Sequence, residues 1–117
     1  MNKDNIGFKG EEIACNYIEK NEYQIIARNF MCNQGEIDIV ARDKKELVFI
    51  EVKTRRSTKF GNPVDAVDKN KKKHIWNATK FYLYKNKLEN EFIRFDIIEI
   101  YMYSKGYKVN HIKNVMI

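Results

Sequence analysis

A chain of 117 residues, 44% hydrophobic and 32% charged, has the balance of one globular domain; this excludes a disordered segment and leaves little room for a linker or second module. Its longest uncharged apolar runs, such as Leu47 to Ile50, fall far short of the ~20 residues a bilayer span requires, and no apolar stretch of leader length follows MNKDNIGFKGEE, so a cytoplasmic protein without membrane segments is expected. Twenty-two Lys and Arg against sixteen Asp and Glu leave a net charge of +6, which favours a polyanionic partner, nucleic acid before others.

Periodicity of 3.6 residues predicts a first helix over 5–21. Within it Glu11 shares a stripe with Ala14, Cys15 and Ile18, whereas Glu12 lines up with Asn16, Glu19 and Lys20. A carboxylate on a buried stripe is costly without a positive partner, so Glu11 is a candidate site residue; compensation of the helix N-terminus is the alternative. Strands are predicted over 23–32, 35–43 and 46–55. Cys15 and Cys32 lack C-x-x-C spacing and read as two buried, reduced thiols, not as a metal knuckle. Asn62-Pro63 offers an N-cap and a first helical residue, so a second helix is predicted to start there or at Asp65 and to run to about Leu88. On it Lys71 shares a stripe with Val67, Ile75, Ala78 and Tyr82 and faces inward or toward a substrate, unless its stem snorkels to water. Lys72 and Lys73 fall on the solvated side. Runs 92–103 and 106–116 alternate as strands, giving the order αβββαβ with a candidate last strand.

The stretch GEIDIVARDKKELVFIEVKTR, 35–55, carries ionisable residues among its core positions. A hairpin symmetric about the Lys44–Lys45 bond sets Asp38 across from Glu51 and Glu36 across from Lys53. Alternation then places Glu36, Asp38, Glu51 and Lys53 on one face and Ile37, Ile39, Ile50 and Val52 on the other. Two facing carboxylates repel unless something positive lies between them, and Mg²⁺ (or Mn²⁺) binds through one or two carboxylates plus waters and phosphate oxygens. Lys53 would orient or help deprotonate a metal-bound water, so D-x(12)-E-x-K reads as a metal-assisted phosphodiester-cleavage site; a solvated polar ladder is the alternative. Arg55, Arg56, Lys59, Lys71 and Lys73 are candidate nucleic-acid contacts, and phosphate contacts carry affinity without sequence information. No base-reading element stands out, so structure-selective or nonspecific cleavage is expected. Trp76, off the Lys71 stripe, reads as partly exposed and a candidate dimer contact. His74 and His111 have no partner at ligand spacing and receive no role.

The combination G-x-x-G-E (Gly7, Gly10, Glu11), R-N-F (Arg28–Phe30), G-E-I-D (Gly35–Asp38), F-I-E-V-K-T-R (Phe49–Arg55), F-G (Phe60, Gly61), R-F-D (Arg94–Asp96) and H-I-x-N (His111–Asn114) resembles the YraN-type family of bacterial proteins over nearly the whole chain. That family is taken to belong to the PD-(D/E)xK superfamily and is similar to archaeal Holliday-junction resolvases. The resemblance implies an α/β, restriction-endonuclease-like core, a mixed β-sheet flanked by helices. It also implies an Mg-dependent endonuclease with metal held by Asp38, Glu51 and the Val52 carbonyl, Glu11 acting directly or through water, and Lys53 as the catalytic lysine. Ile37-Asp38 stands where the superfamily label has Pro-Asp. DNA is expected before RNA, and cleavage of two strands would favour a homodimer. The competing classes are a non-catalytic nucleic-acid-binding module and an interaction scaffold for DNA uptake, recombination or repair. A shared fold does not choose among them.

Overall fold

The chain runs α1 (Ile6–Lys20), β1 (Gln24–Cys32), β2 (Gly35–Asp43), β3 (Glu46–Arg55), α2 (Lys69–Lys85), β4 (Phe92–Tyr103) and β5 (Gly106–Ile112). A computed structural model describes residues 6–56 and 69–117. The expected helix start at Asn62-Pro63, the Phe60-Gly61 motif and Lys59 lie outside the described residues. The strands form one sheet in sequence order, β1-β2-β3-β4-β5. Tight turns make β1–β2, β2–β3 and β4–β5 antiparallel, while β3 and β4, connected through α2, run parallel, because a parallel pair needs a long crossover. This mixed sheet flanked by helices is the expected α/β architecture, compatible with a restriction-endonuclease-like core.

Each face of the sheet has its own helix. Ala14, Cys15 and Ile18 of α1 pack on Ile39, Ala41, Val48, Ile50, Ile98 and Ile100. Ala78, Tyr82 and Leu83 of α2 pack on Ile37, Val40, Leu47 and Phe49. Period-two alternation explains why Leu47–Ile50 is continuously apolar: Leu47 and Phe49 point to α2, Val48 and Ile50 to α1, as in any strand buried on both faces. Each such side chain contributes roughly 1.5–3 kcal/mol by leaving water.

Both helices stop without glycine. Glu22 (φ 69) and Lys87 (φ 57) take the left-handed turn, and the next residues, Tyr23 and Leu88, donate their N–H groups back to Ile18 and Leu83 carbonyls at 2.9 and 2.8 Å. That bond, together with the packing of Tyr23 and Leu88 on the two cores, closes the Schellman-type end. It is also why α2 ends before the expected Leu88. The last strand ends at Ile112, short of the expected 116: Asn114 turns left-handed (φ 57), its N–H goes to Asp96 Oδ1 at 3.1 Å, and Val115 N–H bonds the Phe95 carbonyl at 2.7 Å.

Candidate functional site

The β2–β3 register is the symmetric one, Asp43 with Glu46 through Ile39 with Ile50. There the ladder stops. Below that point β2 pairs only with β1 (Ile37 with Phe30, Glu36 with Met31), and β3 pairs with β4 (Glu51 with Ile97, Lys53 with Glu99). Glu36 therefore does not stand across from Lys53; the hairpin forks open at Asp38 and Glu51. The Val52 N–H at the fork is taken by Asp38 Oδ2 at 2.8 Å, so a side chain stands in for a missing strand. Since an extended residue presents its N–H and C=O to the same strand edge, the Val52 carbonyl opens into the fork too.

Ile37 also departs from its expected face. It packs with Val40 and Phe49 on the α2 side, whereas Ile39, Ile50 and Val52 take the α1 side as expected. Its partner Phe30 packs on the same side. Between Phe30 and Arg28 lies Asn29 in a left-handed conformation (φ 52), and a left-handed residue interrupts the alternation of a strand.

Four expected residues meet at the fork. Glu51 Oε1 accepts both Lys71 Nζ, at 2.7 Å, and Lys53 Nζ, at 3.3 Å. Asp38 is buried, and burial, followed by the charge of Glu51, pushes its carboxyl up to about 7 against the opposing Val52 N–H bond. Burial, and then the neighbouring Lys71 ammonium, lowers the Lys53 pKa. Lys71 moves the other way: burial opposes its charge, but Glu51 and Asp38 hold it protonated. Glu11, raised first by burial, feels the charges of Glu36 and Glu51 and is opposed by Arg28 and a hydrogen bond from Asn29. It therefore approaches the fork from α1. Gly10 makes that approach feasible, because a Cβ there would collide with Thr54 Oγ1 on β3. Gly35 does the same for α2: its φ is 155, and a Cβ would sit 3.1 Å from the His74 carbonyl oxygen.

An open pocket of about 380 Å³ lies over the fork, lined by Glu36, Glu51, Asn70, Lys71 and His74 among others. Among the described residues no group of three or more His, Cys, Asp or Glu side chains is assembled to hold an ion by itself. Asp38, Glu51 and the Val52 carbonyl would make a smaller oxygen set, of the kind Mg²⁺ takes when waters and phosphate oxygens complete its shell. Burial first, and then the charge of Glu51, disfavour an ionised Asp38, and a cation there would offset both.

Arg55 is half-buried on β3 and Arg56 and Lys73 are exposed. Lys72, expected on the water side, is half-buried in a cleft between α2 and the sheet that also contains Phe95, Ile97 and Val115. Trp76 is 39% exposed, with its ring edge-on to Phe95 and Lys80 Nζ 5.7 Å over it. Cys15 is buried and Cys32 partly so, and both are free.

Two features escaped sequence reasoning. Glu99 is completely buried and pairs in register with Lys53; its Oε1 accepts Asn110 Nδ2 at 2.7 Å, while among the described residues its Oε2 meets no donor at full hydrogen-bond geometry. No local signal marks it, since alternation alone puts a glutamate on either face. His111, given no role above, has Nε2 2.7 Å from Asp96 Oδ2 and Nδ1 3.1 Å from the Tyr17 hydroxyl. Arg94 closes this buried network by donating to Asp96, to Asp43 and Glu46 at the β2–β3 turn, and to Tyr23 at 2.6 Å. It sets β4 and the hairpin turn in one frame.

A profile of the family described as "Uncharacterised protein family UPF0102" matches residues 10–100, a span that includes Glu11, Asp38, Glu51, Lys53 and Lys71. A UPF0102 protein of Caldicellulosiruptor saccharolyticus is 42% identical over 116 residues, covering 97% of this chain and 98% of the relative. One from Clostridium perfringens is 46% identical over 111 residues, 93% of this chain and 91% of the relative. One from Clostridioides difficile is 41% identical over 114 residues, 97% and 98% of the two chains. Matched by the profile over most of its length and by these relatives nearly end to end, the chain belongs to the UPF0102 family, the YraN-type family that its motifs resemble.

Proposed function

We propose that this protein is a metal-dependent nuclease that hydrolyses phosphodiester bonds in nucleic acid, DNA before RNA, with structure-selective or nonspecific choice of substrate. The observation that carries this reading is the fork itself: Asp38 and Glu51 brought together where the hairpin splits, with Lys53 and Lys71 on the same carboxylate oxygen. A structural polar ladder has no need to break its strand pairing at the acids, nor to raise a carboxyl to about 7; perturbed groups of this kind gather where chemistry is done.

Asp38, Glu51 and the Val52 carbonyl would hold Mg²⁺ or Mn²⁺, with Glu11 reaching it directly or through water. Such an ion supplies Lewis acidity toward the phosphoryl oxygen and an acidified water. Lys53, only 17% exposed and tethered to Glu51, orients the attacking water from a stem held in place by its strand. Lys71, Arg55, Arg56, Lys73 and Lys59 contact flanking phosphates, so affinity falls steeply with salt. Cutting both strands of a duplex calls for two copies, related by a twofold axis.

The test is a panel of labelled duplex, single-stranded, flap and four-way-junction DNA, with RNA, incubated in Mg²⁺ or Mn²⁺ and in EDTA. Nicking that requires the metal and disappears in Asp38→Asn is expected. Salt-sensitive binding of these substrates without cleavage of any of them would refute the nuclease reading in favour of a binding module.

A further inference from the structure

Two ammonium groups share one carboxylate oxygen in this site, Lys71 Nζ at 2.7 Å and Lys53 Nζ at 3.3 Å from Glu51 Oε1. Together they bring two positive charges to the atom that a divalent ion would take. The ion and both ammoniums cannot stay on that oxygen, because like charges at this range in a half-buried site repel strongly. The lysines are not equivalent. Lys53 projects from β3, hydrogen-bonded to β4 in this stretch, and its side chain is 17% exposed. Lys71 lies in the first turn of α2, with 43% of its side chain already in water. A flexible stem with its head near solvent is the cheaper one to move. The pocket above Glu51, lined by Lys71, Asn70 and His74, gives it somewhere to go.

We propose that Lys71 is a displaceable counter-ion: it neutralises Glu51 until a divalent ion arrives, then leaves that carboxylate and presents its ammonium to a substrate phosphate. The inference rests on the metal-site reading above. It makes Lys71 a brake on ion binding and a positioning residue for substrate, two effects of opposite sign. A lysine serving only to hold the fold would show neither, since its removal would loosen the site and weaken the ion.

The experiment is calorimetric titration of Mn²⁺ into the full chain and into K71M, K71Q, K71R and D38N. Removing the charge in K71M or K71Q is expected to tighten Mn²⁺ binding about tenfold, about 1.4 kcal/mol, while K71R stays within about twofold of the parent chain. With Ca²⁺ present and a phosphorothioate-protected duplex as probe, the same two neutral variants should bind DNA more weakly than the parent. If the parent binds Mn²⁺ in an Asp38-dependent way but K71M and K71Q bind it equally or less well, Lys71 is no counter-ion and the metal site stands without it. If no chain binds Mn²⁺, both readings are overturned.

Discussion

Asp38→Asn should make the metal-free protein more stable at alkaline pH. The Asp38 carboxyl is pushed from 3.8 to about 7, first by burial and then by the charge of Glu51. A raised carboxyl pKa means that the folded state holds the proton more tightly than the unfolded one, so stability falls as pH rises between the two values and the loss is complete above about 7. At ~1.36 kcal/mol per pKa unit the shift sets an upper limit of about 4 kcal/mol. Asn keeps the acceptor for the Val52 N–H, now 2.8 Å from Asp38 Oδ2, and the pull of the charged form of that bond is already contained in the pKa of about 7. A net gain of up to about 4 kcal/mol at pH 8 is therefore expected, shrinking toward zero at pH 4. Urea unfolding of both chains in EDTA, from pH 4 to pH 8.5, measures it. Parallel stability curves for parent and variant across that range would refute the reasoning, for they would mean that Asp38 ionises in the fold as easily as in the unfolded chain.

Lys53→Ala should abolish metal-dependent nicking on any substrate the protein cuts while DNA affinity changes by less than about threefold, read by gel assays of cleavage and binding; retained cleavage would remove Lys53 from the mechanism. Arg94→Met leaves Asp96 buried without its guanidinium and should cost about 3–5 kcal/mol in denaturant unfolding. Asp96 itself, although burial opposes it, is drawn down to about 2 by His111, Arg94 and the Asn114 N–H; a depressed carboxyl pKa stabilises above the unfolded value, so about 2 kcal/mol should disappear as pH falls from about 4 toward 2, and Asp96→Asn should flatten that acid limb. Gly10→Ala, which at an exposed helical site would stabilise by about 1 kcal/mol, should here destabilise by about 1–3 kcal/mol through its clash with Thr54, and the G10A/T54A pair, which removes the Oγ1 and Cγ2 contacts but keeps the Cβ one, should recover part of that loss in thermal melts.

Helix faces and strand order could be read from the chain because they are local properties. Glu11 follows the stripe of Ala14, Cys15 and Ile18, all buried, and Lys71 follows that of Ile75, Ala78 and Tyr82, also buried, since a 3.6-residue period needs no knowledge of the partner. The hairpin register followed from the symmetric turn at Lys44–Lys45, with sequence-adjacent strands pairing across it. Lys72 shows the limit of such reading: helical phase put it toward water, but the cleft between α2 and the sheet reaches it.

The sequence by itself determined the order of elements, the acids Asp38 and Glu51 on adjacent strands, and which helical glutamate and lysine face them. Only tertiary structure decided that the hairpin opens at those acids, that Ile37 changes sides, that Glu99 lies beside Lys53, and that His111 joins Asp96. Each depends on which strand a segment abandons and which it keeps, as β2 stays with β1 and β3 with β4 below Ile39 and Ile50. Strand partnership is a competition between segments far apart in the chain, and side-chain periodicity, which reports only the faces of one segment, carries no record of its outcome.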